Sequence, residues 1–427
     1  MAQMHEIKGW CPTAYRPMAT GDGLLLRLTP KWDGLSPEQL GVIAKTSLQF
    51  GNGQIDLTQR ANLQIRGVEP DTYSKALSAL LAHDLIDAKE VSEHQANILI
   101  SPLSNLEKNK KITALKLATE LNHSLVQNKL AQQLPSKFLF CINDCHKLSL
   151  YSIKSDILID ISDNEKISFI LANNYKNPIS IDQHEIVTSI IEITKRFLYL
   201  SKQNEFLFRR MHSLIEKIGM LEFLKPLRLK TTPLDKEFNP SKDAYLGEIT
   251  FNNFCFIGVS APSGSWRAEL LENFSQILID HKFQNIRLTP WRSFLIPIRD
   301  LREGQLLLSK IKKLHLITSP DDPRLAAIAC PGAPKCSQAY GNTEEVLERL
   351  SVYAAHFPSH RDIVVHVSGC TKGCVKGDQT PLTIALTPQG YNLIKNGRAD
   401  CAPFYQARSL EEIEHYLKNN LSILESP

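Results

Sequence analysis

Hydrophobic and polar positions follow two different periods along the chain, and their order predicts an α/β layer near the N-terminus. GLLLRLTP, from Gly23, has the pattern of a strand. SPEQLGVIAKTSLQFG has helical periodicity, opens with a Ser-x-x-Gln capping box at Ser36 and ends at Gly51. QIDLTQRANLQIRGV predicts two strands joined by a turn near Gln59 to Asn62, and DTYSKALSALLAHDLI predicts a second helix.

The same order returns in the second half of the chain. GEITFNNFCFIGVSA predicts a strand, SWRAELLENFSQILIDH a helix, NIRLTPWRSFLIPIRD a strand with a turn, and LREGQLLLSKIKKLHLI a second helix. IDLTQRANLQI and IRLTPWRSFLI share Ile, Leu, Thr and Ile at matching positions. The pattern therefore predicts two pseudo-symmetric repeats, and two unrelated α/β segments are the alternative.

A lobe of mixed structure follows each copy. LPSKFLFCIND predicts a strand and IVTSIIEITKRFLYLSK an amphipathic helix after the first copy; TEEVLERLSVYAAHF predicts a helix and TPLTIALTPQGYNLIKNG a hairpin after the second. The predicted fold class is α+β. The predicted domains are a half-domain at 15–80, an α/β lobe at 90–240, a second half-domain at 244–312 and a second lobe at 318–427.

Composition excludes several classes of protein. The 427 residues are enough for two or three domains, and 43% hydrophobic with 22% charged residues is typical of a soluble globular protein. The sequence has no run of eighteen apolar residues, and its N-terminus has no apolar core of a signal peptide. We therefore expect a cytoplasmic protein without a membrane partner. A formal net charge of +4 is too small to predict nucleic-acid binding.

Nine cysteines are too few for a disulfide scaffold in a chain of this length. Five are scattered, and we expect small buried side chains at Cys11, Cys141, Cys145, Cys255 and Cys401. The other four lie in two turns rich in glycine and proline, ACPGAPKCSQA and HVSGCTKGCVKG, at Cys330, Cys336, Cys370 and Cys374.

Four thiolates from two turns can hold a metal centre. Five residues separate the first pair, three separate the second, and 33 lie between the pairs. Structural zinc sites favour two to four residues between paired ligands, so the wider gap favours an iron–sulfur cluster. A zinc site or four unligated thiols are the alternatives. The surrounding glycines and prolines leave backbone N–H groups available to bond the sulfurs.

Cys-x5-Cys followed by Cys-x3-Cys, downstream of two repeated half-domains, resembles the nitrite/sulfite reductase superfamily. TGDGLLLRL, IDLTQRANLQIRG, LPSKF and LTPWR also match family segments in order. The resemblance implies two repeats, each a ferredoxin-like half-domain followed by a lobe like those that bind sirohaem. It also implies that the four cysteines bind a 4Fe–4S cluster, with Cys374 the position that bridges to sirohaem iron in the family.

One branch of the superfamily resembles the chain more closely. PMATGDGLLLRL, LTQRANLQIRG, LTPWR, ACPGAP and VSGCTKGC together are similar to the precorrin-3B synthases of aerobic cobalamin biosynthesis. This resemblance implies an O2-dependent monooxygenase that hydroxylates precorrin-3A at C20 and closes a γ-lactone with the ring A acetate. It further implies an external electron donor, neighbouring cobalamin-pathway enzymes as partners, and a non-haem iron. The sequence shows no 2-His-1-carboxylate grouping to hold that iron.

Two cationic positions of the reductases are kept and two are lost. Reductases of the superfamily surround their anion with four cations, because those charges stabilise an oxyanion during reduction. Arg27 and Lys137 stand at two of these positions and are predicted catalytic residues, whereas Ala96 and Leu139 occupy the others. Loss of two charges is compatible with neutral O2 in place of nitrite or sulfite.

Polar side chains alternate along RANLQIR. On one strand, Arg60, Asn62, Gln64 and Arg66 would all point to one face and could bind the carboxylate arms of a precorrin. A solvated strand face is the alternative. In the second repeat, Arg292 is a better candidate for substrate binding than Arg287, because it lies in the turn.

His366 and Lys372 lie beside the cysteines. His366 is on the apolar strand IVVHVSGC and is predicted to be a satisfied core residue rather than a ligand, while Lys372 is equally well explained as solvated. Three other functions stay open: a sirohaem-dependent sulfite or nitrite reductase, a non-catalytic tetrapyrrole-binding or electron-transfer protein, and a zinc-stapled structural protein.

Overall fold

The computed structural model describes residues 11–89, 95–106, 112–162, 165–204, 208–231, 245–357 and 363–421. Four sheets with helices packed on them form two half-domains and two lobes that alternate along the chain. The predicted α+β class with two pseudo-symmetric repeats is confirmed. The predicted limits at 90, 240, 244 and 427 lie outside the described residues, and the four domain boundaries stay predictions.

The first half-domain is an antiparallel sheet of order β1-β2-β4-β3 covered by two helices. Its elements are β1 Met18–Thr20, β2 Gly23–Leu28, α1 Pro37–Phe50, β3 Gln54–Leu57, β4 Leu63–Val68 and α2 Tyr73–Leu81. The predicted capping box is present: the Ser36 hydroxyl accepts from the Gln39 N–H, and the Gln39 side chain accepts from the Ser36 N–H. The helix ends at Gly51, as predicted.

The first lobe is a mixed sheet of order β5-β6-β7-β8-β9, parallel between the first three strands and antiparallel after them. Its strands are β5 Ile98–Ile100, β6 Phe140–Asn143, β7 Ile157–Ile161, β8 Ile167–Leu171 and β9 Ile179–Ile181. Its helices are α3 Ala114–Gln127, α4 Ile186–Gln203, α5 Met211–Ile218 and α6 Met220–Leu224.

The second half-domain has the order β10-β11-β14-β13. Its elements are β10 Gly247–Phe251, β11 Phe254–Ser260, β12 Ser265–Arg267, α7 Ala268–Asp280, β13 Arg287–Leu288, β14 Ser293–Ile298 and α8 Leu301–Ile311. GEITFNNFCFIGVSA is a hairpin rather than the single strand predicted, because Asn252 adopts φ 51° and reverses the chain. SWR, predicted as the start of a helix, is β12, which pairs with β3 of the first half-domain.

The second lobe repeats the topology of the first. The order β15-β16-β17-β18-β19 is again parallel between its first three strands and antiparallel after them. Its elements are β15 Ala327–Ala329, α9 Thr343–Leu350, β16 Val365–Ser368, β17 Thr380–Thr387, β18 Gly390–Gly397, β19 Tyr405–Ala407 and α10 Leu410–Asn419.

One hydrophobic core joins the two half-domains. Helix α1 packs against α7, and residues of both repeats form a single buried cluster. Two cross-repeat strand contacts mirror each other, since Trp266 pairs with Ile55 and Leu35 pairs with Ile286. Ile55 and Ile286 are the matching first residues of the two repeated segments, so the contacts obey the pseudo-twofold relation.

The repeated LT turns have the same hydrogen bonds. Thr58 Oγ1 accepts from the N–H groups of Arg60 and Asn62, and Thr289 Oγ1 accepts from those of Trp291 and Ser293. The residue between each pair is left-handed: Ala61 has φ 54° and its counterpart Arg292 has φ 59°. Each repeat therefore presents its turn side chains at equivalent places.

None of the helices in the described part of the chain is long and apolar enough to span a membrane.

The shared core predicts that substitution of Trp266 strongly lowers the stability of the fold. Its side chain is 0% exposed, with ring centroids 5.7 Å from Phe274 and 5.1 Å from Phe294. We expect Trp266→Ala to lower the free energy of unfolding by about 3–5 kcal/mol, since it leaves a cavity between the repeats. Chemical denaturation checks this. Tyr340→Ala, at a side chain 58% exposed, is the control and should change stability little.

Candidate functional site

The two cysteine turns meet at one edge of the second lobe. Cys330 directly follows β15, and Cys370 follows β16 after Gly369. Because β15 and β16 are parallel neighbours, their carboxyl ends lie at the same edge. The Cys330 N–H extends the ladder with a 3.1 Å bond to the Val367 carbonyl. The Gly369 N–H donates to Cys330 Sγ at 3.1 Å, which ties the turns together through sulfur.

The thiol of Cys370 lies within electrostatic reach of the other three thiols. Burial raises the pKa of Cys370, and the proximity of Cys374, Cys330 and Cys336 raises it further. Exposure is graded across the set: Cys330 is buried, Cys336 and Cys370 are half-buried, and Cys374 is exposed. A group bound here would therefore have one side in the protein and one side toward the cleft or solvent.

Four cysteine thiols are a ligand set of both 4Fe–4S clusters and structural zinc sites. In the described residues, no three His, Cys, Asp or Glu side chains are close enough together to bind one metal ion. A cuboidal cluster spreads four thiolates over four iron atoms. Glycine also provides the close packing that such a cradle needs, since a Cβ on Gly369 would lie 2.7 Å from the Ala339 Cβ and 3.4 Å from Cys330 Sγ.

His366 lies under the second cysteine turn. It is 0% exposed, as expected of a core residue, but neither ring nitrogen has a hydrogen-bond partner among the described residues. Burial, with a smaller effect of the Lys376 charge, lowers the pKa of His366 to about 4. The ring is therefore neutral at pH 7. His366 is a core residue, as predicted, but no described residue of the polypeptide satisfies its ring nitrogens.

A cleft of three adjoining cavities runs from the first half-domain to the cysteines. The distal cavity, about 880 Å³, is bounded by residues that include Arg27, Ala96 and Leu139. The middle cavity, about 670 Å³, shares Arg60 and Leu139 with it. The cluster-side cavity, about 480 Å³, shares Arg292 with the middle cavity and reaches Cys330. The sequence could not reveal this continuity, because the walls come from all four units.

Arg27, in the wall of the distal cavity, pairs with Gln64, which lies in the wall of the cluster-side cavity. They are directly opposite each other on β2 and β4. With its amide oxygen turned toward Arg27, Gln64 accepts from Nε at 3.2 Å and Nη2 at 2.9 Å. Such a bidentate bond fixes the guanidinium plane and leaves its remaining N–H groups available to a ligand.

Arg60 and Asn62 reach the distal cavity from the turn between β3 and β4. Arg60 donates to the carbonyls of Ser136 at 3.3 Å and Lys137 at 2.9 Å, which fastens the first half-domain to the first lobe. Burial lowers the pKa of Arg60, although the guanidinium stays charged at pH 7. Asn62 is only 8% exposed and lies in the wall of the distal cavity.

The prediction of one strand face is wrong for half of RANLQIR. Strand β4 begins at Leu63, so Gln64 and Arg66 lie on it, whereas Arg60 and Asn62 lie in the turn. The left-handed Ala61 breaks the alternation. The distal cavity therefore receives Arg60 and Asn62 through the turn rather than through strand periodicity.

Arg66 is occupied by carboxylates. It donates to Asp22 through Nε at 3.0 Å and Nη2 at 2.9 Å, and it lies 3.6 Å from Asp56. The Arg66 and Asp22 side chains are 5% and 3% exposed. Burial alone would raise the pKa of Asp22, but hydrogen bonds from Arg66 and Thr20 lower it overall. Arg66 thus holds the wall of the cleft.

The remaining predicted cations are in different settings. Arg292 lies in the wall of both the middle and the cluster-side cavities, where its Nη1 donates to the Ser263 carbonyl at 2.8 Å. Arg287 donates to the carbonyls of Pro102 and Ser104, at 3.0 Å and 2.7 Å, and joins the second half-domain to the first lobe. Lys137 is exposed and is not among the residues of the distal cavity.

Cys11 is a residue of the distal cavity that the sequence did not distinguish. It is half-buried, and its Sγ lies 3.5 Å from the Ser136 carbonyl, 125 positions away in sequence. Burial would raise the pKa of Cys11, but the charge and hydrogen bond of Arg27, the contact with Ser136 and the charge of Arg60 lower it overall. No local signal in the sequence indicates these long-range neighbours.

Comparisons with known proteins support the architecture. Residues 16–83 match the nitrite/sulfite reductase ferredoxin-like half domain. The solved structure of the Mycobacterium tuberculosis NirA protein matches with a TM-score of 0.68 and 17% identity, over 93% of this chain and 80% of that one. At this identity the match shows the fold alone.

Curated relatives confirm the resemblance predicted from the motifs. A precorrin-3B synthase of Sinorhizobium sp is 26% identical over 93% of this chain and 84% of its own length. The chloroplastic ferredoxin–nitrite reductase of Spinacia oleracea is 22% identical over 79% of this chain and 62% of its own length. A ferredoxin–nitrite reductase of Synechococcus elongatus is 22% identical over 87% of this chain and 77% of its own length. These relatives support an enzyme of oxidoreductase type.

The Arg66–Asp22 pair predicts a pH-dependent loss of stability. We expect Arg66→Met to lower the free energy of unfolding by about 3–5 kcal/mol at pH 7, because it leaves a buried carboxylate unpaired. The pKa of Asp22 is lower in the folded protein than in the unfolded chain, where it is about 3.9. The ion pair therefore stabilises the fold above that pH, and this stabilisation is lost as the pH falls through the folded pKa. The difference between variant and wild type should therefore shrink below about pH 4.

Urea denaturation from pH 3 to pH 8 measures this difference. Lys195→Met removes the Lys195–Glu192 pair, whose side chains are 47% and 50% exposed, and is the control, with an expected change below about 0.5 kcal/mol. A constant difference across the whole pH range would show that Arg66 does not act through the Asp22 carboxylate.

The environment of Cys11 predicts enhanced thiol reactivity. Its lowered pKa increases the thiolate fraction at pH 7, and the thiolate is the nucleophile. We expect iodoacetamide to modify Cys11 severalfold more slowly in Arg27→Gln than in the wild type, measured by peptide mass spectrometry. The exposed Cys401 in the same samples is the internal reference. Equal Cys11 rates in both proteins would contradict the assignment of Arg27 as its partner.

Proposed function

We propose that the protein is a precorrin-3B synthase, which hydroxylates precorrin-3A at C20 with O2 and forms the γ-lactone with the ring A acetate. The macrocycle would lie in the cleft between the two repeats, with its carboxylate arms against the arginines. The similarity to the precorrin-3B synthase over nearly the whole chain supports this substrate. A cytoplasmic location suits an enzyme whose cysteines must remain reduced.

One observation favours this activity over reduction of nitrite or sulfite. Ala96 and Leu139, which stand where the reductases are expected to carry cations, are both in the wall of the distal cavity beside Arg27. Of the four positions that carry cations in the reductases, only Arg27 places one in this wall, because Lys137 is not among its residues. The other cations of the wall, Arg16, Lys31 and Arg60, stand at other positions. Loss of cations from the reductase positions disfavours an oxyanion, because each preorganised cation contributes several kcal/mol to the transition state. Neutral O2 does not need these charges to bind.

The arginines of the cleft would bind and orient the substrate. Arg27, held in plane by Gln64, and Arg60 present guanidinium groups to the distal cavity. Asn62 contributes a side chain to the wall of the distal cavity, and Arg292 lies in the wall of the middle cavity. The carboxylate groups of acetate and propionate arms are anionic and planar, so they can form paired hydrogen bonds with guanidinium groups.

Two predicted residues take other parts in the proposal. Arg66 would maintain the wall that carries Gln64, because Asp22 and Asp56 already bind its guanidinium. Lys137 receives no catalytic step, since its exposed side chain is not in the wall of the distal cavity. Its carbonyl instead receives the hydrogen bond of Arg60.

Cys330, Cys336, Cys370 and Cys374 would hold a 4Fe–4S cluster, which supplies electrons to the reaction. An external electron donor would have to reduce it, and the exposed Cys374 is the side open to such a donor. Neighbouring pathway enzymes would supply and receive the tetrapyrrole. The described residues give no grouping to hold a separate non-haem iron, and no step is assigned to one.

Anaerobic purification followed by isotope labelling tests the proposal. The protein should have a broad absorbance that bleaches on reduction, with no acid–acetone-extractable sirohaem. With precorrin-3A, a chemical reductant and 18O2, we expect a product that carries one 18O atom, detected by mass spectrometry. Stoichiometric sirohaem together with nitrite or sulfite reduction would identify a reductase instead. Cluster without turnover of either kind would leave an electron-transfer or tetrapyrrole-binding protein.

Arg27→Gln tests the substrate-binding wall. We expect kcat/KM for precorrin-3A to fall about 10- to 100-fold, because a charged hydrogen bond contributes about 1.5–3 kcal/mol. The cluster content should stay unchanged, since Arg27 lies in the distal cavity. Arg302→Gln, at an exposed arginine of the second half-domain, is the matched control and should retain wild-type activity. Equal activities of the two variants would remove Arg27 from the site.

A further inference from the structure

The imidazole of His366 has no function in the cleft described above. Its strand, β16, leads directly into the turn that carries Cys370 and Cys374. Val365 and Val367 point into the core beneath α9, so His366 points to the other face of the sheet. On that face it pairs with Ile328 and Thr383 on the neighbouring strands.

The polar edge of the ring faces the cysteine turn. A Cβ built on Gly373 would lie 3.7 Å from the Cε1 atom of His366. Because Cε1 lies between Nδ1 and Nε2, both nitrogens flank the atom nearest to the turn. Neither has a partner among the described residues, although the side chain is 0% exposed. A fully buried imidazole without a partner is rare in a folded protein and points to a group that the polypeptide does not supply.

The pseudo-twofold relation provides an internal comparison. Cys141 pairs with Leu99 in the first lobe as His366 pairs with Ile328 in the second, so the two side chains occupy equivalent positions. Cys141 is 0% exposed and packs among the apolar residues Leu139 and Leu158. The first lobe lacks the four-cysteine set, and there this position carries a small apolar side chain.

We infer that His366 is a positioning residue that donates a hydrogen bond to the cluster or to one of its thiolates from beneath the turn. The inference rests on the cluster of the proposed function. A neutral imidazole carries one N–H, which is the donor required. Hydrogen bonds to cluster sulfur stabilise the reduced state, because reduction adds negative charge to the cluster, and they therefore raise its reduction potential.

Variants at this position test the inference by a readout other than activity. His366→Leu removes the donor, and His366→Gln retains one. We expect His366→Leu to shift the reduction equilibrium at least tenfold toward the oxidised cluster, which is about 59 mV for a one-electron couple. The reduction potential of His366→Gln should be closer to that of the wild type. Potentials are measured by EPR-monitored redox titration of the full chain, alongside iron and sulfide content and circular dichroism.

Thr383→Val is the matched control. Thr383 is on the adjacent strand, is also 0% exposed, and donates to the Gly397 carbonyl rather than toward the cysteines. The reduction potential of the cluster in Thr383→Val should equal that in the wild type. A fully loaded His366→Leu with the wild-type potential would overturn the inference, as would an equal shift in Thr383→Val.

Loss of the cluster is also decisive. If folded His366→Leu loses the cluster while His366→Gln keeps it, the donor is required and the inference stands. If both variants lose it equally, the side chain acts by packing and the inference is wrong. If the wild type itself holds no iron and sulfide, the proposed function has failed instead, so the two failures are distinguishable.

Discussion

The cleft depends on a hydrophobic core that neither half-domain can form alone. Trp266 of the second half-domain pairs with Ile55 of the first, Leu35 of the first pairs with Ile286 of the second, and α1 packs on α7. Gly41 makes the helix contact possible, because a Cβ there would lie 2.7 Å from Ser275 Oγ. Burial of this apolar surface fixes the angle between the repeats and hence the width of the cleft.

The pseudo-twofold relation gives two equivalent frameworks that carry different chemistry. Arg27 and Gln64 have Gly258 and Leu295 as counterparts, and the counterpart of Arg60 is Trp291, whose ring stacks on Tyr245 with centroids 5.4 Å apart. The Arg27–Gln64 pair therefore has no counterpart in the second half-domain.

The lobes differ in the same way. The Ser101 N–H donates to the Ile142 carbonyl as the Cys330 N–H does to Val367, yet only the second lobe carries four cysteines. In the first lobe Cys145, the counterpart of Cys370, is 4% exposed and packs with Leu103 and Leu148. The second lobe therefore supplies the thiols, while arginines of both half-domains line the cavities that lead to Cys330.

The sequence by itself determined the fold class, the repeat and the four cysteines. Periodicity predicts elements because each element needs one apolar face, and the capping box at Ser36 and the stop at Gly51 are local signals read from neighbouring residues. The cysteine pairs are also local, since each lies in one short turn. The resemblance to nitrite/sulfite reductases and precorrin-3B synthases rests on these same segments.

Only the tertiary structure decided which side chains meet. Arg66 was predicted to bind substrate but is held by Asp22, 44 residues away, while Cys11 enters the cavity through Ser136. The hairpin at Asn252 and the strand β12 also depended on pairing with distant segments rather than on local pattern. His366 was recognised as buried from its apolar strand, but its missing partners appear only once the cysteine turn is folded over it. Contacts between distant residues depend on packing of the whole chain, and sequence periodicity carries no information about them.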